Sequence, residues 1–295
     1  MNNILKAMIA GLLGYSIFGF SFLFSKVALN LASPMVLLAA RFAVAFLVMN
    51  LILVFTKTTV SLKGKPVKKL LAMGLIQPVI YFICEAYGIQ MTSASFSGIV
   101  IGLVPVAGLL LGVLFLKERC TKFQIVCTVT SVVGVALTTT GGLEFSLLGF
   151  ILLLISVLST ASFSVISRSV SEEFSPFERT YVMLGLGAVT FILIAFIQNW
   201  GNLEAAAAPL MIPDFWISVL YLGVLSSVCA FLLINYALNY LSVGHTLIFS
   251  NFTTVISVLA GILILHDAFT TVQLVGIVVI ILSVFGVSYQ KKEKA

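Results

Sequence analysis

The ionisable side chains that interrupt long apolar runs are the first candidates for chemistry in this sequence. Lys26, Arg41 and Glu85 each lie inside such a run. A charge in apolar surroundings is costly, so each is a functional candidate. A basic group could attract a carboxylate, whereas Glu85 could attract an ammonium group or carry a proton. The structural alternative is an internal Arg41–Glu85 ion pair that orients two helices, with Lys26 extending its amine toward an interface.

Uncharged polar residues in similar runs form a second tier of candidates. Gln77, Tyr81 and Glu85 follow one another at intervals of four residues, so they share one face of a helix. That polar face predicts either a wet cavity or hydrogen bonds between helices. Asn235 and Asn251 lie in two later apolar runs and are candidates for the same two roles.

The elements that hold these residues are predicted to be membrane helices. The chain is 61% hydrophobic and 9% charged, whereas a soluble protein has about 25% charged residues. A transmembrane helix needs about 20 apolar residues, and barrel strands alternate in polarity, so the continuous runs predict an all-α integral membrane protein. We count ten spans, near residues 4–28, 34–56, 67–89, 93–116, 121–140, 147–168, 178–199, 213–237, 243–265 and 270–289.

Prolines and glycines predict where these helices are interrupted or closely packed. Pro78 and Pro105 could unwind helices within the membrane and expose backbone groups at a site. Gly98 and Gly102 are separated by three residues, a spacing that indicates close packing between two helices.

The distribution of basic residues predicts the orientation of the chain. With the N-terminus in the cytoplasm, the inner segments hold every Lys and Arg, including Arg179, except Lys26 and Arg41 within spans. Both termini are therefore expected in the cytoplasm, with the protein in the inner (plasma) membrane. The first span is expected to be retained, because no convincing signal-peptide cleavage site follows it. The formal net charge of +6 then reflects orientation and predicts no nucleic-acid binding.

The second half of the chain repeats the first. At an offset of 149 positions Leu110 meets Leu259, and at an offset of 142 Lys26 meets Arg168. Spans 1–5 therefore correspond to spans 6–10, and we predict five-helix units over residues 1–141 and 142–295. Because five is odd, the two units must insert with opposite orientations.

A helix start is predicted at matching places in both units. Thr121 and Gln124 form a capping-box pattern, and so do Thr270 and Gln273 at the 149-position offset. In such a box the Thr oxygen accepts from the third amide of the helix, while the Gln side chain accepts from the Thr amide.

The charges within the spans are not repeated. In the second half, Met183 stands at the position that corresponds to Arg41, and Ile234 at the position that corresponds to Glu85. Any site should therefore be asymmetric, with its charged wall supplied by spans 1–3.

The segment from Lys26 through Pro34 to Arg41 resembles the opening of an EamA-type unit of the drug/metabolite transporter superfamily. The resemblance covers essentially the whole chain, although Thr254 stands where the family often has Pro. It implies a ten-helix carrier whose cavity is lined largely by spans 1, 3, 4, 6, 8 and 9, and which moves amino acids, amines or other small metabolites, commonly outward. Further matching features are Tyr87, Pro105, Leu116-Lys117-Glu118-Arg119, Gly134, Tyr236, Leu265-His266-Asp267 and Gly286.

We therefore predict a secondary active transporter that exports a small molecule by alternating access between inverted repeats in a lipid bilayer. Proton coupling through Glu85 is an open option, and both a monomer and a homodimer agree with the sequence. No cofactor or metal is predicted, because the chain has no phosphate-binding GxxxxGK[ST] motif and no CxxC pair. The alternative is an integral-membrane enzyme or lipid-handling protein. An enzyme would need a cluster of catalytic or metal-binding groups near one interface, which the sequence lacks.

Overall fold

The structure is a computed structural model that describes residues 3–116, 121–138, 146–266 and 270–288, and these ranges are helical with short connections. We number the long helical elements in chain order and treat an interrupted helix as one element. The short helices Leu203–Ala207 and Ala208–Met211, between α7 and α8, are left unnumbered. They are α1, Asn3–Leu29; α2, Pro34–Thr56; α3, Val67–Gln90; α4, Ala94–Ile101 and Val104–Leu116; α5, Lys122–Thr138; α6, Leu147–Ser169; α7, Pro176–Gln198; α8, Pro213–Tyr240; α9, Val243–Ile248 and Ser250–Leu263; and α10, Thr271–Ser288.

Eight of the described elements, α1–α4 and α6–α9, are long and apolar enough to cross a membrane. The apolar parts of α5 and α10 are shorter, at Ile125–Gly134 and Thr271–Ser283. Large hydrophobic side chains such as Phe55, Ile197 and Leu282 are exposed on the outside of the helices, as a lipid-facing surface requires. The all-helical membrane fold is thus confirmed, whereas ten crossings remain a prediction.

One of the two predicted capping boxes is observed. The Gln273 amide donates to Thr270 Oγ1 at 3.3 Å, and the Thr270 amide donates to Gln273 Oε1 at 2.8 Å. The counterpart at Thr121 depends on the side chain of Gln124, which lies outside the described residues. The motif residues Lys117, Glu118, Arg119 and Asp267 also lie outside them.

The helices α3 and α8 are interrupted at matching places. A π-helical segment spans Leu75–Ile80 in α3 and Tyr221–Cys229 in α8, and Ile80 meets Cys229 at the 149-position offset. In α3 the interruption contains Pro78, which follows a cis peptide bond and has no amide hydrogen for a helical bond. The predicted unwinding at Pro78 is therefore observed.

The helices α4 and α9 are also broken. In α4 the break falls between Ile101 and Val104, just before Pro105, and in α9 it falls at Phe249. The predicted interruption near Pro105 is thus observed. Breaks of this kind leave backbone groups within the bundle without their usual helical partners.

Helix pairing follows the repeat. The first helix α1 packs on α8 and α9, while its counterpart α6 packs on α3 and α4. The pair α2 and α8 corresponds to α7 and α3, which also pack together. The remaining major pairs, α2 with α7, α4 with α9, and α5 with α10, each join counterparts. If each helix is replaced by its counterpart in the other half, every one of these pairs becomes a pair that is also observed. The packing therefore has the twofold pattern of the repeat.

The connection between α2 and α3 is fixed to the start of α7. Lys65 Nζ lies 2.8 Å from Glu178 Oε1 in an ion pair, and the Ser61 amide donates to the same oxygen at 3.0 Å. Glu178 also completes a capping box with Ser175, the residue that precedes α7. This carboxylate therefore caps α7 and holds the α2–α3 connection against its start.

Candidate functional site

A small central cavity lies where six helices meet, and its volume of about 20 Å³ is close to the space that one water molecule needs. Small-molecule pockets usually measure about 300–1,000 Å³, so a substrate would fit here only after the surrounding helices move apart. The helices are α1, α3, α4, α6, α8 and α9, the set that the family resemblance implies, and each supplies two lining residues. In that order the residues are Tyr15 and Phe18, Gln77 and Tyr81, Ile101 and Val104, Thr160 and Phe163, Phe231 and Ile234, and Ser250 and Thr253.

The two halves contribute matching positions with different chemistry. On α1 and α4 the lining residues at matched positions are apolar, whereas their counterparts on α6 and α9 carry hydroxyl groups. On α3 and α8 the lining residues do not stand at matched positions. There the first half supplies the polar residues, Gln77 and Tyr81, and the second half supplies the apolar ones. The matched pairs are Phe18 and Thr160 at the 142-position offset, and Ile101 and Ser250, and Val104 and Thr253, at the 149-position offset.

The predicted polar face of α3 reaches the cavity in part. Gln77 and Tyr81 line it, and the Tyr81 hydroxyl lies 2.7 Å from Glu85 Oε1 in a buried hydrogen bond. Glu85 is 2% exposed and lies one hydrogen bond behind the cavity wall. The three residues are therefore connected to one site, although only the first two face it directly.

Two cavity groups lack a partner within the protein. The oxygens Gln77 Oε1 and Thr160 Oγ1 are buried and make no hydrogen bond. The local backbone explains the position of Gln77, which leaves the helical conformation at φ −142° and ψ 114°. A buried polar group without a partner costs about 1–3 kcal/mol, a cost that a bound molecule or water would offset.

The hydroxyls that α9 presents have already used their hydrogens. Ser250 Oγ donates to the Leu247 carbonyl at 2.7 Å, and Thr253 Oγ1 donates to the Tyr15 carbonyl at 2.8 Å. A hydroxyl has a single hydrogen to donate. Both oxygens can therefore only accept hydrogen bonds from a molecule in the cavity.

Arg41 binds α8 instead of Glu85. Its Nε donates to Ser227 Oγ at 2.9 Å and its Nη2 to Ser226 Oγ at 3.0 Å, while Phe82 lies with its ring centroid 4.2 Å from the guanidinium carbon. The direct Arg41–Glu85 ion pair is not formed, since no nitrogen–oxygen distance of 4.0 Å or less joins these two described side chains. Arg41 thus joins α2 to the π-helical segment of α8.

Lys26 has a structural partner. Its amine donates to the carbonyl oxygens of Ile89 at 3.2 Å and Thr92 at 2.5 Å, at the end of α3. Cations stabilise helix C-termini by satisfying carbonyls that have no helical partner. Lys26 is not among the cavity residues, and its amine binds the C-terminal end of α3.

Asn235 belongs to a buried network away from the cavity lining. Its Oδ1 accepts from Ser167 Oγ at 2.7 Å, its Nδ2 donates to Thr180 Oγ1 at 3.0 Å, and its carbonyl accepts from Arg179 Nη2 at 2.8 Å. Arg179 also donates to Ser167 Oγ at 2.6 Å and to Asn239 Oδ1. These contacts join α6, α7 and α8.

Arg179, which the sequence places with the inner segments, is buried in this network. Arg179 is 0% exposed, because α7 begins at Pro176 and its first turn points Arg179 toward α6 and α8. The predicted span 178–199 already contains Arg179, whereas its partners on α6 and α8 were not predicted.

Asn251 lies in a second, smaller cavity. Gly102, Thr254, Ile280 and Ile281 line that space with it. Both polar atoms of the Asn251 side chain are buried without a partner. The sequence candidates therefore separate into residues at the central cavity, Gln77 and Tyr81 with Glu85 behind them, and residues outside it, Lys26, Arg41, Asn235 and Asn251.

The helical fold and the enclosed cavity between its halves define the chain as a membrane transport protein. The model of the EamA-like transporter family matches residues 5–140 and 147–289, so the chain belongs to this family within the drug/metabolite transporter superfamily.

Relatives agree with this placement. The chain is 33% identical to the "Uncharacterized transporter YcxC" of Bacillus subtilis over 296 residues, which cover 98% of this chain and 95% of that protein. It is 23% identical to an "Uncharacterized transporter" of Archaeoglobus fulgidus over 281 residues, covering 95% and 98% of the two chains. A solved crystal structure shares the fold with a TM-score of 0.66 at 16% identity, over 95% of each chain.

Proposed function

We propose that the protein is a secondary active transporter that exports small metabolites of the amino acid, amine or related class. It works by alternating access between two inverted five-helix units, residues 1–141 and 142–295, in the inner (plasma) membrane with both termini in the cytoplasm. The observation that carries the proposal is the central cavity, to which three helices of each half contribute two residues apiece.

The helix pairing supports rocking of the two halves. The cavity lies between helices that pack mainly on partners from the other half, as α1 does on α8 and α9. The interruptions in α3, α4, α8 and α9 provide bends close to the cavity. Transporters built from opposed repeats use such broken helices at the substrate site.

Glu85 is the proposed coupling residue. An ionised carboxylate can only accept hydrogen bonds, whereas a protonated one can also donate. With Glu85 ionised, Tyr81 must donate its hydrogen to Glu85 across the 2.7 Å contact. With Glu85 protonated, the acid can donate to Tyr81, and the Tyr81 hydrogen can turn to the cavity. Proton binding thereby changes what the cavity offers a substrate.

Transport in proteoliposomes tests the proposal. The purified protein should move at least one compound from a panel of radiolabelled amino acids, amines and related metabolites, and an imposed pH gradient should drive its accumulation. No flux of any panel member from well-folded protein would count against the transport function. The variant Glu85→Gln should fold and still exchange labelled for unlabelled substrate, but should not respond to the pH gradient. An unchanged response to the gradient would exclude Glu85 as the coupling residue.

A further inference from the structure

We propose, on the basis of the transport function above, that the central cavity selects organic ammonium ions. The substrate would carry a primary ammonium group on an apolar, ring-sized body and no carboxylate. Three properties of the cavity lead to this class: the shape of its apolar wall, the direction of its hydrogen bonds and the placement of charge around it.

Aromatic rings form the apolar wall. The Phe18 and Phe231 ring centroids lie 5.2 Å apart, and those of Phe163 and Phe231 lie 5.9 Å apart, both in edge-to-face arrangements. All three residues line the cavity. Their faces and edges suit the apolar body of a substrate, and aromatic faces also attract an organic cation within about 6 Å.

The polar wall offers mainly acceptors. The hydrogens of Ser250 and Thr253 are bound to backbone carbonyls at 2.7 and 2.8 Å, and that of Tyr81 is bound to Glu85 Oε1 at 2.7 Å. Each oxygen keeps lone pairs for a ligand but has no hydrogen to give. Gln77 Oε1 is a fourth acceptor and has no partner in the protein. Thr160, whose hydroxyl has no partner, and the Gln77 amide nitrogen can also donate. The four acceptors suit an ammonium group, which has three hydrogens and no acceptor.

Among the described residues, an acidic side chain and not a basic one is hydrogen-bonded to the cavity lining. None of its lining residues is Lys or Arg. The Glu85 carboxylate lies one hydrogen bond behind Tyr81, while the Arg41 guanidinium is held by Ser226 and Ser227 outside the lining. A substrate carboxylate would be buried against acceptors without a cationic partner, which is strongly unfavourable.

Four compounds with one phenyl ring separate the possibilities: 2-phenylethylamine, phenylalanine, 3-phenylpropanoate and 2-phenylethanol. Each is added to the purified full-length protein in a thermal-shift titration and used as a competitor in proteoliposome transport. We expect 2-phenylethylamine to bind at least tenfold more tightly than the other three. Equal or tighter binding of phenylalanine or 3-phenylpropanoate would overturn the ammonium selectivity and leave the transport function standing. Failure of every compound in this set and in the wider panel would overturn both.

Two neighbouring threonines provide a matched pair of variants. Thr253 and Thr254 both donate to a backbone carbonyl of another helix, Thr253 to Tyr15 and Thr254 to Gly98 at 3.1 Å. Only Thr253 lines the central cavity, while Thr254 lines the smaller one. Thr253→Val should weaken 2-phenylethylamine binding about tenfold relative to 2-phenylethanol, and Thr254→Val should leave that ratio unchanged. Equal ratios in the two folded variants would contradict the proposal.

A second variant covers the case in which Thr253→Val fails to fold. Gln77→Leu removes an amide that faces the cavity, and Asn251→Leu removes one that lies outside it. We expect Gln77→Leu to reduce the preference for the amine about tenfold, with no reduction in Asn251→Leu. The four-compound ranking on the unaltered protein decides the proposal even if neither cavity variant folds.

Discussion

Lys26 and Arg168 make the same contact in the two halves of the protein. Lys26 Nζ donates to the Ile89 carbonyl at 3.2 Å, and Arg168 Nη1 donates to the Leu238 carbonyl at 3.0 Å. In the alignment of the two halves, Lys26 corresponds to Arg168 at the 142-position offset, and Ile89 corresponds to Leu238 at the 149-position offset. Each cation satisfies carbonyls in the last turn of an interrupted helix, α3 or α8. The internal repeat therefore extends to individual hydrogen bonds.

These contacts predict a stabilising role for Lys26. Replacing it by Met leaves the carbonyls of Ile89 and Thr92 without their donor, so we expect a loss of about 1–2 kcal/mol, within the range for bonds to charged groups. Lys26→Arg should preserve most of the stability. Melting temperature in detergent measures the effect, and Lys68→Met, at an exposed lysine, serves as the control.

Transport separates this role from substrate binding. Folded Lys26→Met should transport with an unchanged KM, because Lys26 lies outside the cavity lining. A large rise in KM with an unchanged melting temperature would instead identify Lys26 as a substrate contact.

Close packing of α4 on α9 gives a second prediction. A Cβ atom on Gly98 would collide with the side chain of Ser257, as the glycine spacing in the sequence predicted. Gly98→Ala should therefore lower the melting temperature markedly, since overpacking in a core typically costs about 1–3 kcal/mol. The double variant Gly98→Ala/Ser257→Gly should recover part of the loss. A double variant no more stable than Gly98→Ala would show that Ser257 is not the obstacle.

The sequence predicts the fold well because the membrane imposes simple rules. Length, apolarity and capping patterns located the helices, and Pro78 and Pro105 marked two interruptions. The polar spacing of Gln77 and Tyr81 also identified two residues that line the cavity. These signals are local, so they can be recognised before the chain is folded.

Partner choice was harder to predict because it depends on how distant helices approach each other. The sequence offered an Arg41–Glu85 ion pair as the structural alternative to a substrate contact, but the π-helical segment of α8 brings Ser226 and Ser227 to the guanidinium instead. The contacts of Arg179 with α6 and α8 were likewise not predicted. Neither set of contacts has a signature in the spacing of residues along one helix.

The Arg41 contacts give a third prediction. Arg can bind Ser226 and Ser227 at once through Nη2 and Nε, whereas the single amine of Lys cannot reproduce this fork. Arg41→Lys should therefore be less stable than the parent protein. A double-mutant cycle with Ser227→Ala should show coupling of about 0.5–3 kcal/mol between the two sites, the range for residues in direct contact. Additive effects of Arg41→Lys and Ser227→Ala would contradict the observed arrangement.

The Tyr81 hydroxyl gives the fourth prediction, because it is the link between Glu85 and the cavity. Tyr81→Phe removes one oxygen and keeps the ring, so the variant should fold while Glu85 loses its hydrogen-bond donor. If the protonation of Glu85 acts on the substrate through this bond, Tyr81→Phe should bind the amine more weakly and lose most of the acceleration by a pH gradient. Measuring transport at several pH differences across the proteoliposome membrane gives the response directly.

Tyr221→Phe is the matched control for Tyr81→Phe. The Tyr221 hydroxyl donates to the Ile17 carbonyl at 3.0 Å, and Tyr221 does not line the cavity. This variant loses one hydrogen bond of similar geometry, so it should cost stability without changing the response to the gradient. If both variants responded to the gradient like the parent protein, Glu85 would not act through Tyr81. If both lost the response equally, the effect of Tyr81→Phe would reflect general loss of packing, and the switch at Tyr81 would have no support.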